Sequence, residues 1–97
     1  MNDSAEQAGP RRVAEIRSRL EQALAPDRLE VIDESHLHVG HAGARDGRGH
    51  FRVQIVSDQF AALPRLARHR LVYRALGDLM QTDIHALSIE SFSKNEI

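Results

Sequence analysis

The apolar residues of this chain switch between helical and strand spacing within 97 positions, and that alternation confines it to a small mixed fold. Val13, Ile16, Leu20, Ala23 and Leu24 recur three and four apart, with Arg11, Glu15, Arg17, Arg19 and Glu21 between them. This pattern predicts an amphipathic helix of about four turns. Pro10 suits its first turn, where a missing N–H costs little, and Pro26 ends it. Leu29 to Glu34 reads as a strand, with Leu29 and Val31 on one face and Glu30 and Glu34 on the other, although Ile32 breaks the alternation. Phe51 to Val56 is the clearest strand, because Phe51, Val53 and Ile55 alternate with polar residues. Ser57-Asp58 supplies capping oxygens for a turn or short helix.

A second helix is expected from Pro64 to about Met80. At ~100° per residue, Leu66, His69, Val72, Tyr73, Leu76, Leu79 and Met80 fall in one stripe, opposite Arg70, Arg74, Asp78 and Gln81. Thr82-Asp83 breaks it. A third strand follows from Ile84 to Ser91, with His85, Leu87 and Ile89 on one face.

The order is α-β-β-α-β, an α+β two-layer sandwich with a three-stranded mixed sheet and its helices on one face. The first two strands are expected antiparallel. The second and third, joined by a helical crossover, are expected parallel. The expected core is Val13, Ile16, Leu20, Leu24, Val31, Phe51, Val53, Ile55, Val72, Leu76, Leu79, Leu87 and Ile89. Residues 1–9 read as a disordered tail, 10–92 as the domain and 93–97 as a short C-terminal tail.

Composition excludes several chemistries. There is no cysteine, so disulfides, thiol catalysis and a thiolate metal site built by this chain alone are ruled out. The formal net charge of -1 gives no overall attraction to nucleic acid or an acidic membrane. No apolar run is long enough to span a bilayer. The polar, acidic start, Met1 to Gln7, resembles neither a secretory signal nor a transit peptide, so a cytoplasmic location is expected. No G-x-S-x-G, G-x-x-x-x-G-K-[ST] or H-E-x-x-H pattern occurs, and an enzyme is not expected.

The concentrated chemistry is histidine. Ser35 to Gly49 has no periodicity, holds four of the six glycines, and carries His36, His38 and His41; His50 follows directly and His85 opens the last strand. Long irregular segments in compact domains are usually functional or disordered. Imidazole suits iron, zinc, copper and nickel, so this group is either a metal site drawn from a loop and a strand or a solvated glycine-rich loop. His69, in the middle of a helix stripe, reads as a core histidine bonded to backbone. Arg65, Arg68, Arg70 and Arg74 make the second helix basic, either as a solvated surface or as a docking face for an acidic partner or a phosphate backbone.

Four segments resemble the BolA family, in its order and at about its spacing: Leu29-Glu30-Val31-Ile32-Asp33-Glu34-Ser35, His50-Phe51-Arg52-Val53-Gln54-Ile55-Val56-Ser57, Arg68-His69-Arg70-Leu71-Val72 and Ile84-His85-Ala86-Leu87. The resemblance covers residues 11–92 and implies a sandwich similar to the type II KH fold. It also implies an adaptor that pairs with a monothiol glutaredoxin, shares a [2Fe-2S] cluster with it and with glutathione, and acts in iron–sulfur cluster handling and iron homeostasis. By the same resemblance His85 is the main ligand, with a second from the loop: His38 at the family's position, or His41 as the alternative. Two imidazoles on one iron raise a cluster's potential relative to all-thiolate ligation. Some members are described as transcription regulators of stress response or morphology. That implies DNA as the alternative partner of the basic helix, although no G-x-x-G loop joins two helices here. No membrane partner is expected, and alone the chain is expected to be a monomer or weak homodimer.

Overall fold

The computed structural model describes residues 5–38 and 47–97. The elements are α1 (Ala5–Leu24), β1 (Arg28–Asp33), β2 (Gly49–Val56), α2 (Arg65–Leu76), α3 (Leu79–Thr82) and β3 (Ile84–Phe92), with 3-10 turns at Ser35–His38, Asp58–Phe60 and Lys94–Glu96. The sheet order is β1-β2-β3. β1 pairs antiparallel with β2, and β2 parallel with β3, so the sheet is mixed as expected.

Central β2 carries the core. Phe51, Val53 and Ile55 are buried against Ile16, Leu20 and Leu24 of α1 and Val72 and Leu76 of α2. Phe60, Leu79 and Ile84 complete the cluster, while Val13, Val31, Leu87 and Ile89 are only partly buried around it. On the other face of β2, Gln54 Nε2 donates to Glu90 Oε1 of β3 at 2.6 Å. Ser57, fully buried, donates its hydroxyl to the Leu24 carbonyl at 2.7 Å and accepts from the Gln59 amide at 3.2 Å. It thereby caps the 3-10 turn and locks the end of α1 to the end of β2. Among the described residues no helix is long and apolar enough to cross a membrane.

Three expectations need correction. Residues 5–9 belong to α1 rather than to a tail, and Pro10 lies inside the helix. It is the sixth helical residue, past the turn whose N–H groups lack partners, so the helix forgoes one backbone bond there. The helix expected from Pro64 to Met80 is interrupted at Gly77, whose φ of 54° and bond to the Tyr73 carbonyl end α2 before α3 begins. The buried face of α2 is Arg68, Val72 and Leu76, leaving Leu66 and Tyr73 exposed. Residues 93–97, expected as a short C-terminal tail, include a 3-10 turn in which Ser93 and Glu96 form a capping box, and Glu96 is bound to Arg68.

Candidate functional site

The histidines meet at an irregularity in the sheet. Gly49 pairs with Ile84, yet His50 pairs with Ala86, so His85 is an extra residue on β3. A bulge of this kind re-aims a side chain. Ile84 turns fully into the core and His85 outward to solvent. Strict alternation had placed His85 on the face of Leu87 and Ile89, and the bulge removes it from there.

The start of β2 is pinned where the bulge occurs. A Cβ at Gly49 would lie 2.6 Å from the Phe51 ring and 2.9 Å from Ser35 Oγ, so only glycine fits without displacement. Gly49 N donates to the Asp83 carbonyl at 2.9 Å, Glu34 N to the His50 carbonyl at 2.8 Å, and His50 N to Ser35 Oγ at 3.1 Å. Ser35 N in turn donates to Asp33 Oδ1 at 2.8 Å.

On this frame the His50 and His85 rings lie 5.2 Å apart, tilted by 44°. His50 is buried and His85 exposed. Arg48 Nη2 lies 3.2 Å from His85 Nδ1. A guanidinium can only donate, so Nδ1 accepts and the proton of a neutral His85 is left on Nε2. Arg12 fixes both sides of the site from α1: its Nε donates to Asp83 Oδ2 at 3.0 Å and its Nη1 to the Gly47 carbonyl at 2.8 Å. Burial pushes the Asp83 carboxyl up, but bonds from the Thr82 hydroxyl and Arg12 outweigh this and hold it below its ordinary value.

The loop thus returns to the sheet beside His85. His38 closes the 3-10 turn Ser35–His38 through its backbone; its side chain, and all of His41, lie outside the described residues. The loop segment 39–46, expected to be functional or disordered, lies outside them as well. Among the described residues no three His, Cys, Asp or Glu side chains converge on one point. The donor set is imidazole without thiolate, one ring exposed and one beneath it. It fits a metal shared with another molecule and does not fit a closed cage.

The four arginines divide. Arg65, Arg70 and Arg74 are exposed on α2. Arg68 is not a docking residue in this fold: it is 8% exposed, donates from Nε to the Leu63 carbonyl and from Nη1 to the Ser91 carbonyl, and holds Glu96 with two bonds of 2.6 and 2.7 Å. Its guanidinium can be buried because the Leu63 and Ser91 carbonyls and the Glu96 carboxylate accept its hydrogen bonds. His69 does not find the expected backbone partner; its Nε2 is shielded from solvent without a hydrogen bond. Burial, then the nearby Arg65 charge, lowers its pKa.

His50 entered the sequence reading only as part of the histidine group, and Arg48 did not enter it at all. The available signal was Gly49, a glycine at the mouth of a strand, which marks bulges and close backbone approach.

The chain matches the family model for BolA-like proteins over residues 20–96. It is 44% identical over 87 residues to SufE-like protein 1 of Arabidopsis thaliana, covering 84% of this chain and 24% of that one. The solved BolA domain of that plant's SufE1 superposes with a TM-score of 0.79 at 41% identity, covering 89% of this chain and 95% of the domain. BolA-like protein 1 of Mus musculus is 45% identical over 84 residues, 87% of this chain and 58% of that protein. A Vibrio cholerae protein named DNA-binding transcriptional regulator BolA is 40% identical over 81 residues, 84% of this chain and 74% of the other. The chain therefore spans only part of the plant and mouse relatives. With the family model matched over most of its length and relatives above 40% identity, the chain belongs to the BolA-like protein family.

Proposed function

We propose that this protein is a non-enzymatic cytoplasmic adaptor that binds a monothiol glutaredoxin and contributes histidine ligands to a [2Fe-2S] cluster held jointly with the partner's thiolate and glutathione. The observation that carries the reading is the bulge that turns His85 outward beside His50 at the mouth of the histidine loop. Bound there, the cluster supplies an electron-transfer and transferable iron–sulfur unit. The chain's own part is to present imidazole. Arg48 occupies the Nδ1 lone pair of His85 while Nε2 carries the proton, so ligation requires Arg48 to leave and Nδ1, or Nε2 after a tautomer shift, to face the iron. His50 packs beneath the ring, and Arg12 holds the loop exit against Asp83. His38, or His41 as the alternative, supplies the second imidazole from the loop. The absence of cysteine leaves every thiolate to the partner and glutathione.

The test is to mix the protein with a monothiol glutaredoxin, ferrous iron, sulfide and glutathione under anaerobic conditions. The adaptor reading expects visible absorption and circular dichroism distinct from those of the glutaredoxin alone. Spectra identical with and without this chain would contradict it.

A second reading, a DNA-binding regulator, is favoured by the name of the Vibrio cholerae relative and by the exposed Arg65, Arg70 and Arg74. It expects affinity that falls steeply with salt and weakens when any of these arginines becomes alanine.

A further inference from the structure

β3 is an edge strand. The Phe92 carbonyl accepts from Ser57 N on the β2 side, and successive residues alternate, so Leu87, Ile89 and Ser91 direct their peptide groups to the free edge. The Ser91 carbonyl is capped from that edge by Arg68 Nη1 at 3.1 Å. Among the described residues nothing caps Leu87 or Ile89 in this way. Such edges are templates for a further strand unless charge, bulges or covering elements blunt them. Here the bulge at His85 protects one end and the Arg68–Glu96 pair the other, which leaves a short open segment between them.

A cleft of about 460 Å³ runs along this edge, lined by Arg65, Arg68, His69, Ile89, Ser91 and Glu96, among others. Glu96 neutralises Arg68, whereas the Glu90 carboxylate, which also borders the cleft, keeps its charge and accepts from Gln54 on the sheet face away from α2. On the helix side the exposed guanidinium of Arg65 has no carboxylate partner among the described residues. Open peptide groups require another peptide, which a nucleic acid cannot supply, and the Arg65 guanidinium favours an anion.

We propose that an extended acidic segment of a partner protein adds to β3 as a fourth strand, pairing with Leu87 and Ile89 and placing a carboxylate on Arg65. The surface is independent of the histidine pair, so it stands or falls separately from the cluster reading. The probe is acetyl-Val-Glu-Val-Glu-Val-amide, titrated into the full chain labelled with ¹⁵N. Two controls accompany it: the same peptide with Lys for Glu, and a copy N-methylated at alternate peptide nitrogens. The expected result is saturable amide shifts at Leu87, Ile89 and Arg65. The lysine and N-methylated peptides should fail to produce them, and Arg65→Ala should weaken the acidic peptide about tenfold. The proposal is overturned if no saturable shift appears, if either control binds equally, if Arg65→Ala changes nothing, or if raising the protein concentration alone closes the edge with a second copy.

Discussion

Arg68 holds Glu96 in a two-pronged ion pair, with Nη1 and Nη2 at 2.6 and 2.7 Å from the two carboxylate oxygens. The pair ties the turn after β3 to the first turn of α2, with α3 and β3 between them in the chain. Bonds from Arg68 and then from the Ser93 backbone hold the Glu96 pKa at about 2, below its ordinary 4.5. A carboxylate depressed in the fold adds stability that is complete above its unfolded pKa and is lost as pH falls toward the folded one. Glu96→Gln should therefore lower the thermal midpoint at pH 7 and flatten the loss of stability between pH 4.5 and 2. Arg68→Ala should lower the midpoint further, because it also abandons the Leu63 and Ser91 carbonyls. Thermal melts across that pH range check both.

His69 runs the other way. Burial and Arg65 lower its pKa in the fold, so the unfolded chain takes up the proton first. The protein should lose stability as pH falls through about 6.5, the ordinary value for histidine. His69→Gln, which carries no titratable group, should show a shallower decline between pH 7 and 5 in denaturant titrations.

The Ser57 hydroxyl joins two elements in a fully buried place. Ser57→Ala leaves the Leu24 carbonyl unsatisfied and should cost about 1–3 kcal/mol in urea unfolding. Ile55→Ala, at 0% exposure in the centre of the core, should cost about 2–5 kcal/mol.

Beneath the candidate ligand, the role of His50 is separable into packing and nitrogen chemistry. His50→Phe keeps a ring against His85 and removes both nitrogens. It should preserve the fold and the mixed-cluster spectrum if His50 only supports His85. His50→Ala should weaken the cluster by loosening the ring above it. Visible circular dichroism of the two variants distinguishes packing from ligation.

Most of the architecture was legible because Phe51, Val53 and Ile55 alternate cleanly and Ile16, Leu20 and Leu24 keep helical spacing; all six are buried. The apolar stripe of the second helix was read too broadly: Val72, Leu76 and Leu79 are buried as expected. Leu66 and Tyr73 are apolar by composition but 62% and 41% exposed, while Arg68 goes inside because carbonyls and Glu96 meet its charge. No one-dimensional hydrophobic pattern contains that compensation. The bulge was missed for a related reason: it belongs to the pairing of Gly49 with Ile84, not to either strand alone. Strict alternation therefore left Ile84 out of the expected core and kept His85 on the face of Leu87. His85 was singled out as a ligand by resemblance and His50 only as one of the histidine group, while Arg48 came from the fold.

The central claim rests on His85, which stands exposed at a bulge and outside the core. Its loss should therefore leave the thermal midpoint nearly unchanged. The decisive measurement is the visible circular dichroism of the wild-type chain and of His85→Ala, each reconstituted with a monothiol glutaredoxin, iron, sulfide and glutathione. The account predicts a mixed-cluster spectrum for the wild type and, for the folded His85→Ala protein, only the spectrum of the glutaredoxin alone. A wild-type mixed spectrum from His85→Ala would contradict it.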